Sequence, residues 1–488
     1  MTQVLCRGGR VRRFLAAVAA VVVLLAGYLT LDIFDIVPGF LTRSAPRPIV
    51  TTTPSRAKVG PAVAVPTVDA GAQPLAPASA GAPIPVASAL RARLGGALTD
   101  PALGPHPGFV VRDAFTGQEL LSVDADRPRV AASTAKLLTA LAVVTTLDPH
   151  ATLPTTVVQG ATPREIVLVA GGDTMLAPGA GNPAAVEGHA GLADLASQVA
   201  TALQAAGTSS VTLRLDTTYA AGPRWAPGWP QADVYAGYTG GVSMLGLAGQ
   251  RAVPGKPAPR DPEAAVAHAF VAALGRLGIT ATLAPEATWS TPTVAGAPVL
   301  GTVQSAPIGD VLSLALDDSD NALTEGLARQ AAVKAKLGAS FAAAVALVKQ
   351  KATAEGVDLT GVTLRDSSGL TAGQAIPPSV LADVLQLGTD GSVPALQDIV
   401  ARLPVAGLSG TLHDRFLAKS THVVAGIARA KTGTLTGASA MAGTVVDADG
   451  RVLSYVAVAD GIPAGVGTLN ARAALDRFVA ALATCGCR

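Results

Sequence analysis

The spacing of proline restricts most strongly what this chain can fold into. Nine prolines recur within residues 44–87, among Ala, Thr, Val and Gly, at positions 46, 48, 54, 61, 66, 74, 77, 83 and 85. Each proline fixes its own φ and lacks a backbone N–H, so the segment favours extended conformations over helix. We therefore predict a spacer over residues 44–87 that separates an N-terminal segment from a folded body.

The segment before the spacer combines a basic cluster with an apolar run. Arginines at positions 7, 10, 12 and 13 precede an apolar run over residues 14–31. A helix of this length spans about 27 Å, close to the thickness of a bilayer core. The arginines favour a cytoplasmic N-terminus, which predicts a single-pass anchor within residues 1–43 and a cell-membrane protein whose body is extracytoplasmic. A cleavable signal peptide is the alternative, and it would also export the body.

The composition favours a large globular body and argues against a nucleic-acid partner. Of the 488 residues, 49% are hydrophobic and 14% are charged, which is enough apolar material for a sizeable core. The formal net charge is only +2, and no basic run recurs beyond the N-terminal cluster. Aromatic residues make up 3%, too few to favour base stacking, so we expect no nucleic-acid partner.

The cysteines and histidines give no metal-binding pattern. The cysteines are Cys6, Cys485 and Cys487, and none lies in the long middle of the chain. The six histidines are scattered without H-E-x-x-H spacing, and no glycine-rich phosphate loop opens a helix. We predict neither metal nor cofactor. The Cys-Gly-Cys tail can close a small bridge or remain an unpaired terminus, and we favour the unpaired form.

The body mixes helix and strand patterns. Residues 110–123 alternate as a hairpin with a Thr-Gly turn, and residues 134–146 form an apolar helix. Short strands and helices follow one another through the middle of the chain, which predicts a separate α/β lobe over residues 156–299. Antiparallel strands and a closing helix come last.

Three short motifs with reactive side chains follow one another along the body. Ser133 and Lys136 form S-x-x-K at the start of the apolar helix, and Ser319 and Asn321 form S-x-N in a polar break between helices. K-T-G occupies residues 431–433 in a predicted strand. The nucleophile motif G-x-S-x-G is absent from the sequence. Serine with lysine one helical turn away is a nucleophile with a candidate base.

In this order, the three motifs resemble those of penicillin-binding proteins and class A β-lactamases. The resemblance makes Ser133 the nucleophile and Lys136 the base that takes its proton. Burial and a second cation, Lys431, would lower the pKa of Lys136 and free its amine. The backbone N–H groups of Ser133 and Thr434 are expected to form the oxyanion hole.

The remaining motif residues are assigned to the substrate. Ser319 is the third catalytic residue, expected to relay a proton to the leaving amine, while the Asn321 amide binds a peptide carbonyl. The K-T-G strand is expected to bind substrate, including its terminal carboxylate, through Lys431, Thr432, Gly433 and Thr434.

The long interval between Ser133 and Ser319 distinguishes members of this superfamily. A compact β-lactamase has a shorter interval and an E-x-x-L-N motif, which is absent here. The chain instead resembles the class C low-molecular-mass penicillin-binding proteins, the D-alanyl-D-alanine carboxypeptidase/endopeptidase family (peptidase family S13). The strings "LVAGGDTML", "SDNALTEGLAR" and "RDSSGL" also resemble that family.

That resemblance implies the α/β penicillin-recognising serine transferase fold, an antiparallel sheet flanked by helices. The catalytic domain would be split into residues 88–155 and 300–488, with the α/β domain inserted between S-x-x-K and S-x-N. The implied activity is a serine D-Ala-D-Ala carboxypeptidase, possibly also an endopeptidase, acting on peptidoglycan stem peptides and acylated by β-lactam antibiotics. The alternatives are a β-lactamase or esterase of the same fold, and a non-catalytic sensor of peptidoglycan or penicillin.

Overall fold

The computed structural model describes residues 79–488. The arginine cluster, the apolar run over residues 14–31 and most of the predicted spacer lie outside the described residues, so the membrane anchor stays a prediction. Within residues 79–488, no helix combines the length and the apolar character needed to cross a membrane.

The body is built on a five-stranded antiparallel sheet in the order β2-β1-β10-β9-β8. Its strands come from both ends of the described chain: β1 (Gly108–Asp113), β2 (Glu119–Val123), β8 (Ala428–Leu435), β9 (Ala438–Val446) and β10 (Val452–Ala459). The hairpin predicted over residues 110–123 is confirmed as the antiparallel pair β1–β2. Strand β8 lies at the edge of the sheet, and on its outer side residues 404–406 hydrogen-bond to its first residues, 428–430.

Helices cover one face of this sheet from the two ends of the body. Helix α1 (Ala87–Leu98) and helix α11 (Thr468–Ala483) pack together over that face. Their buried side chains share a core with Phe109 of β1, whose ring centroid lies 4.7 Å from that of Phe478. The periodic leucines of α1 are the part of its sequence that this core buries.

The opposite face of the sheet is covered by a helical layer. Its central member is helix α2 (Lys136–Val144), in which all nine residues are buried. The side chains of α2 share a core with Val456 and Val458 of β10. The rest of the layer consists of α6 (Ile308–Asp317), α7 (Asn321–Lys334), α8 (Phe341–Ala354), α9 (Pro378–Thr389) and α10 (Pro394–Ala401).

A second sheet forms the inserted lobe, in the order β6-β5-β4-β3-β7. Its strands are β3 (Pro154–Gln159), β4 (Glu165–Val169), β5 (Ser210–Asp216), β6 (Thr280–Leu283) and β7 (Val299–Gln304). Its helices are α3 (Leu192–Ala205), α4 (Gln231–Tyr235) and α5 (Pro262–Arg276). Pairs β4–β5 and β5–β6 are parallel, and α3 and α5 share the core of the sheet.

Two boundaries and the C-terminal tail differ from the sequence predictions. Residues 79–86 already contact the body, since Ser79 N donates to Gly450 O and Val86 N donates to Cys487 O. The spacer therefore ends before residue 87. The lobe's sheet runs over residues 154–304, because its first strand in the chain, β3, and its last, β7, extend beyond the predicted limits of 156–299. The expectation of an unpaired tail is wrong, because Cys485 and Cys487 are joined as a disulfide.

Candidate active site

Ser133 lies on a tight turn of 3-10 helix, Ala132–Ala135, that leads directly into α2. Lys136 is the first residue of α2 and its side chain has no exposed surface. A lysine is rarely buried without a partner. Here its Nζ lies 2.8 Å from Ser133 Oγ, so the two side chains of S-x-x-K are in hydrogen-bond contact.

The Lys136 amine contacts two further oxygen atoms from distant segments. Its Nζ donates to Asn321 Oδ1 at 2.5 Å and to the backbone carbonyl of Ser368 at 2.8 Å. A neutral amine has two N–H donors and one lone pair. In the neutral form, N–H bonds to Asn321 and Ser368 would leave the lone pair facing Ser133, which is the arrangement a base needs to accept the serine proton.

Burial lowers the pKa of Lys136 to about 8. The charges of the nearby carboxylates Asp366, Glu325 and Asp320 act in the opposite direction and limit the drop. A lysine pKa near 8 leaves a substantial neutral fraction close to neutral pH, whereas an exposed lysine has almost none.

The S-x-N motif forms the turn between α6 and α7. Ser319 has φ +57°, a left-handed conformation that is uncommon for serine. Asp320 caps α7 by accepting a hydrogen bond from Leu323 N at 2.9 Å. Asn321 reaches both ways, since its Oδ1 accepts from Lys136 and its Nδ2 donates to Tyr238 O of the inserted lobe at 2.8 Å. Ser319 is not hydrogen-bonded to either lysine of the motifs.

The K-T-G motif lies on edge strand β8. Lys431 is fully buried and its Nζ donates to Thr432 O at 2.9 Å. Burial, followed by the charge of Lys136, holds the pKa of Lys431 well below its usual range, and Asp317 partly opposes this. The Thr432 hydroxyl donates to the hydroxyl of Thr411 at 2.8 Å. The charge of Lys136 thus acts on Lys431, whereas the lowered pKa of Lys136 comes from burial, so the expected lowering by Lys431 stays a prediction.

Gly433 is the point where β8 passes closest to the nucleophile's turn. A Cβ at this position would lie 2.5 Å from Ala131 O and 3.1 Å from Ser133 N. Only glycine permits this approach, because the first of these distances is far inside van der Waals contact. The next residue, Thr434, faces the same cleft as Ser133.

An open cleft of about 680 Å³ runs past these groups. Residues from all three motifs line it: Ser133, Ser319, Asn321, Thr432 and Thr434. Loops of the inserted lobe complete the wall, with Tyr238 and Arg251 among the lining residues. The structure thus brings the predicted site residues together at one cleft, with Lys136, Lys431 and Gly433 directly behind its surface.

Two buried carboxylates next to Lys136, Asp366 and Glu325, were not predicted from the motifs. Asp366 accepts five hydrogen bonds from the turn that follows it and from Trp229 of the inserted lobe. Burial alone would raise the pKa of Asp366, but these donors, Thr371 and Trp229 foremost, lower it. Glu325 on α7 accepts from Ser367 N at 2.8 Å, and burial raises its pKa to about 8. The string "RDSSGL" marked this turn, but it assigned no role to its residues.

The backbone before the nucleophile is held in an uncommon conformation. Ala132 has φ +48°, which is unfavourable for any residue with a Cβ. Gly369, in the turn after Asp366, lies against the Ala132 carbonyl so closely that a Cβ there would be 2.1 Å from its oxygen. The turn after Asp366 therefore packs against the backbone before Ser133 through Gly369, and it contacts Lys136 through the carbonyl of Ser368.

Comparison with known proteins shows the family of the chain. The model of the D-Ala-D-Ala carboxypeptidase 3 (S13) family matches residues 90–254 and 250–482. The chain belongs to this family. Carboxypeptidase DacB of Mycolicibacterium smegmatis is 36% identical over 436 residues, covering 88% of this chain and 90% of the relative. The D-alanyl-D-alanine carboxypeptidase of Actinomadura sp. is 27% identical over 448 residues, covering 74% and 79% of the two chains.

Solved structures show the same fold. The crystal structure of penicillin binding protein 4 (dacB) from Haemophilus influenzae matches with a TM-score of 0.63 at 19% identity, covering 81% of this chain and 97% of that one. The same protein complexed with a novel β-lactam matches with a TM-score of 0.55. The S13 protein described here thus has the penicillin-recognising serine transferase fold, with an α/β lobe inserted between its first two motifs, and is an enzyme of the serine carboxypeptidase type.

Proposed function

We propose that the protein removes the terminal D-alanine from peptidoglycan stem peptides through an acyl-enzyme on Ser133, and that β-lactams acylate the same serine. The buried contact between Lys136 Nζ and Ser133 Oγ carries this proposal. A hydroxyl becomes an effective nucleophile when a neighbouring base accepts its proton. The named activity of the relatives, carboxypeptidase, supports the same reaction.

Acylation begins with the attack of Ser133 Oγ on the carbonyl carbon of the D-Ala-D-Ala bond. The proton of Ser133 passes to Lys136 Nζ as the new C–O bond forms, and the carbonyl oxygen becomes an oxyanion. The backbone N–H groups of Ser133 and Thr434 are our candidates for binding that oxyanion, in keeping with the close approach of β8 at Gly433. Collapse of the intermediate breaks the C–N bond.

Departure of D-alanine requires a proton on its amine. We assign the transfer to Ser319, which lines the cleft beside Asn321, with the proton coming from Lys136. Water then attacks the ester, Lys136 again accepts a proton, and hydrolysis returns Ser133 to its hydroxyl form.

Substrate binding is assigned to the K-T-G strand and to Asn321. Lys431, Thr432 and Thr434 suit the terminal carboxylate of the substrate. A carboxylate beside Lys431 favours the charged amine, which counteracts the burial that lowers its pKa. The Asn321 amide is the candidate ligand of a peptide carbonyl in the stem.

We further propose that the protein is held at the cell membrane by the apolar run over residues 14–31, with the body extracytoplasmic. Its length and the arginines before it support this proposal. Fractionation of cells expressing the full chain tests it. A protein recovered only in the soluble fraction, with residues 14–31 still present by mass spectrometry, would contradict the anchor.

Labelling with a fluorescent penicillin and release of D-alanine from a D-Ala-D-Ala-terminated peptide test the catalytic proposal together. We expect both in the wild type, and the loss of both in Ser133→Ala. Ser197→Ala, an exposed serine on α3, is the control and should behave as the wild type. Absence of label on the wild type would contradict the acyl-enzyme, and rapid turnover of the penicillin would indicate a β-lactamase instead.

A further inference from the structure

One guanidinium from the inserted lobe holds the S-x-N turn. Arg251 lies in the loop between α4 and α5, with a side chain that is 14% exposed. Its Nη2 donates to Asp318 Oδ2 at 2.8 Å and its Nη1 donates to Asp320 Oδ2 at 3.0 Å. These two carboxylates flank Ser319 in the sequence. A planar guanidinium can hold both at once in a fixed geometry, which the single amine of lysine cannot do.

The turn held in this way needs support. Ser319 adopts a left-handed backbone conformation, φ +57°, that is strained for a residue with a Cβ and persists only where its surroundings enforce it. Asp320 links that support to α7. Its Oδ1 accepts from Leu323 N at the start of the helix, while its Oδ2 accepts from Arg251. Arg251 is therefore connected to the helical turn that carries Asn321.

Arg251 is itself fixed within the lobe. Glu187 Oε2 accepts from Arg251 Nη2 at 2.9 Å and from its Nε at 3.3 Å, and Glu187 Oε1 accepts from Gly249 N. The lobe also binds the turn at Asn321, whose Nδ2 donates to Tyr238 O. The inserted lobe thus contacts the S-x-N turn on both sides of Ser319.

We propose that Arg251 is a positioning residue for the reaction. It holds Asp318 and Asp320 so that Ser319 keeps the conformation that faces the cleft. The inference rests on the proposed function, because it assigns to Arg251 a share in the acylation of Ser133. It also gives the lobe a part in arranging the catalytic groups.

Replacement of Arg251 by methionine removes the guanidinium and keeps much of the apolar stem. We expect Arg251→Met to lower kcat for D-alanine release, and the rate of acylation by penicillin, by about 10–100-fold, because small displacements of catalytic groups have effects of this size. Arg251→Lys should fall between this variant and the wild type. Arg214→Met is the matched control, since Arg214 lies in the same lobe, is 11% exposed and pairs with Glu165. It should stay within about twofold of the wild type.

A double-mutant cycle separates positioning from a general loss of the lobe. If Arg251 acts through Ser319, adding Arg251→Met to Ser319→Ala should slow acylation by no more than about threefold beyond Ser319→Ala alone. Independent, multiplicative losses would overturn the inference, as would equal losses in Arg251→Met and Arg214→Met. Melting temperatures of all variants show which of them are folded. Unchanged acylation of a folded Arg251→Met would overturn the inference about Arg251 and leave the proposed function intact. Absence of acylation in the wild type would instead contradict the proposed function itself.

Discussion

At the scale of single residues, the site depends on four buried ionisable groups that share one region of low polarity. Lys136 and Lys431 are buried, and burial lowers the pKa of both. Glu325 and Asp366 are the other two groups, and their pKa values shift in opposite directions. Asp366 is surrounded by donors that favour its charged form, whereas Glu325 has one oxygen atom without a partner among the described residues. We infer that Glu325 is largely protonated at neutral pH, so that the negative charges acting on Lys136 are those of Asp366 and Asp320.

The protonation of Glu325 predicts a pH dependence of stability. Its pKa is raised from 4.5 to about 8 on folding, so the folded state binds the proton more tightly than the unfolded state. The wild type should therefore lose stability as the pH rises from about 4.5 to about 8, by up to about 1.4 kcal/mol per pH unit. Glu325→Gln cannot ionise and should lack this loss.

Urea unfolding of both proteins at several pH values checks the prediction. The advantage of Glu325→Gln over the wild type should grow from pH 5 to pH 8 and then level off. Glu119→Gln, an exposed carboxylate on β2, should show no such growth. A constant difference between Glu325→Gln and the wild type would show that Glu325 is already ionised in the folded protein.

At the scale of elements, the sequence predicts what is local and misses what depends on contacts between distant segments. The β1–β2 hairpin, the apolar helix α2 and the break between α6 and α7 are visible as patterns of period and polarity. The approach of Gly433 to Ala131, and of Gly369 to Ala132, is not visible, because each joins segments that are more than two hundred residues apart. The motifs predicted which side chains would lie together. The turn conformations that place these side chains next to one another appear only in the folded chain.

The close approach of β8 to the nucleophile predicts the effect of adding one methyl group. In Gly433→Ala, the Cβ would lie 2.5 Å from Ala131 O, so β8 or the turn of Ser133 must move. We expect penicillin acylation to slow by about 10–100-fold with the fold retained. The control is Gly465→Ala, where a Cβ meets no atom within 4 Å. If Gly433→Ala and the control are acylated at equal rates, the close approach does not position the catalytic groups.

At the scale of the whole molecule, the first described residues contact the last strands of the body. Arg451, after the turn of the β9–β10 hairpin, pairs with Asp113 at the end of β1, and donates to the carbonyls of Ala80 and Ala82. The start of the described chain is thereby tied to its last strands. The sequence predicted the inserted lobe, but its contacts with the catalytic turn through Arg251 and Tyr238 could not be foreseen, because loop residues carry no periodic signal.

The buried pair Arg451–Asp113 predicts a stability effect separate from activity. Its side chains are 4% and 0% exposed, so Arg451→Met leaves the buried carboxylate of Asp113 without its positive partner and should cost about 3–5 kcal/mol. Arg112→Met breaks the more exposed pair with Asp383 and should cost about 1 kcal/mol or less. Urea unfolding measures both. Folded Arg451→Met should be acylated at the wild-type rate. Equal costs for the two variants would mean that burial does not set the strength of the pair.

The pH dependence of acylation tests most directly the claim that neutral Lys136 activates Ser133. The measurement is the second-order rate constant for acylation of the wild type by a fluorescent penicillin, from about pH 6 to about pH 10. Because burial lowers the pKa of Lys136 to about 8, the rate constant should rise as the amine loses its proton, reach half its maximum near pH 8 and then level off. A rate constant that is flat or falling across pH 7 to 9 would contradict the claim.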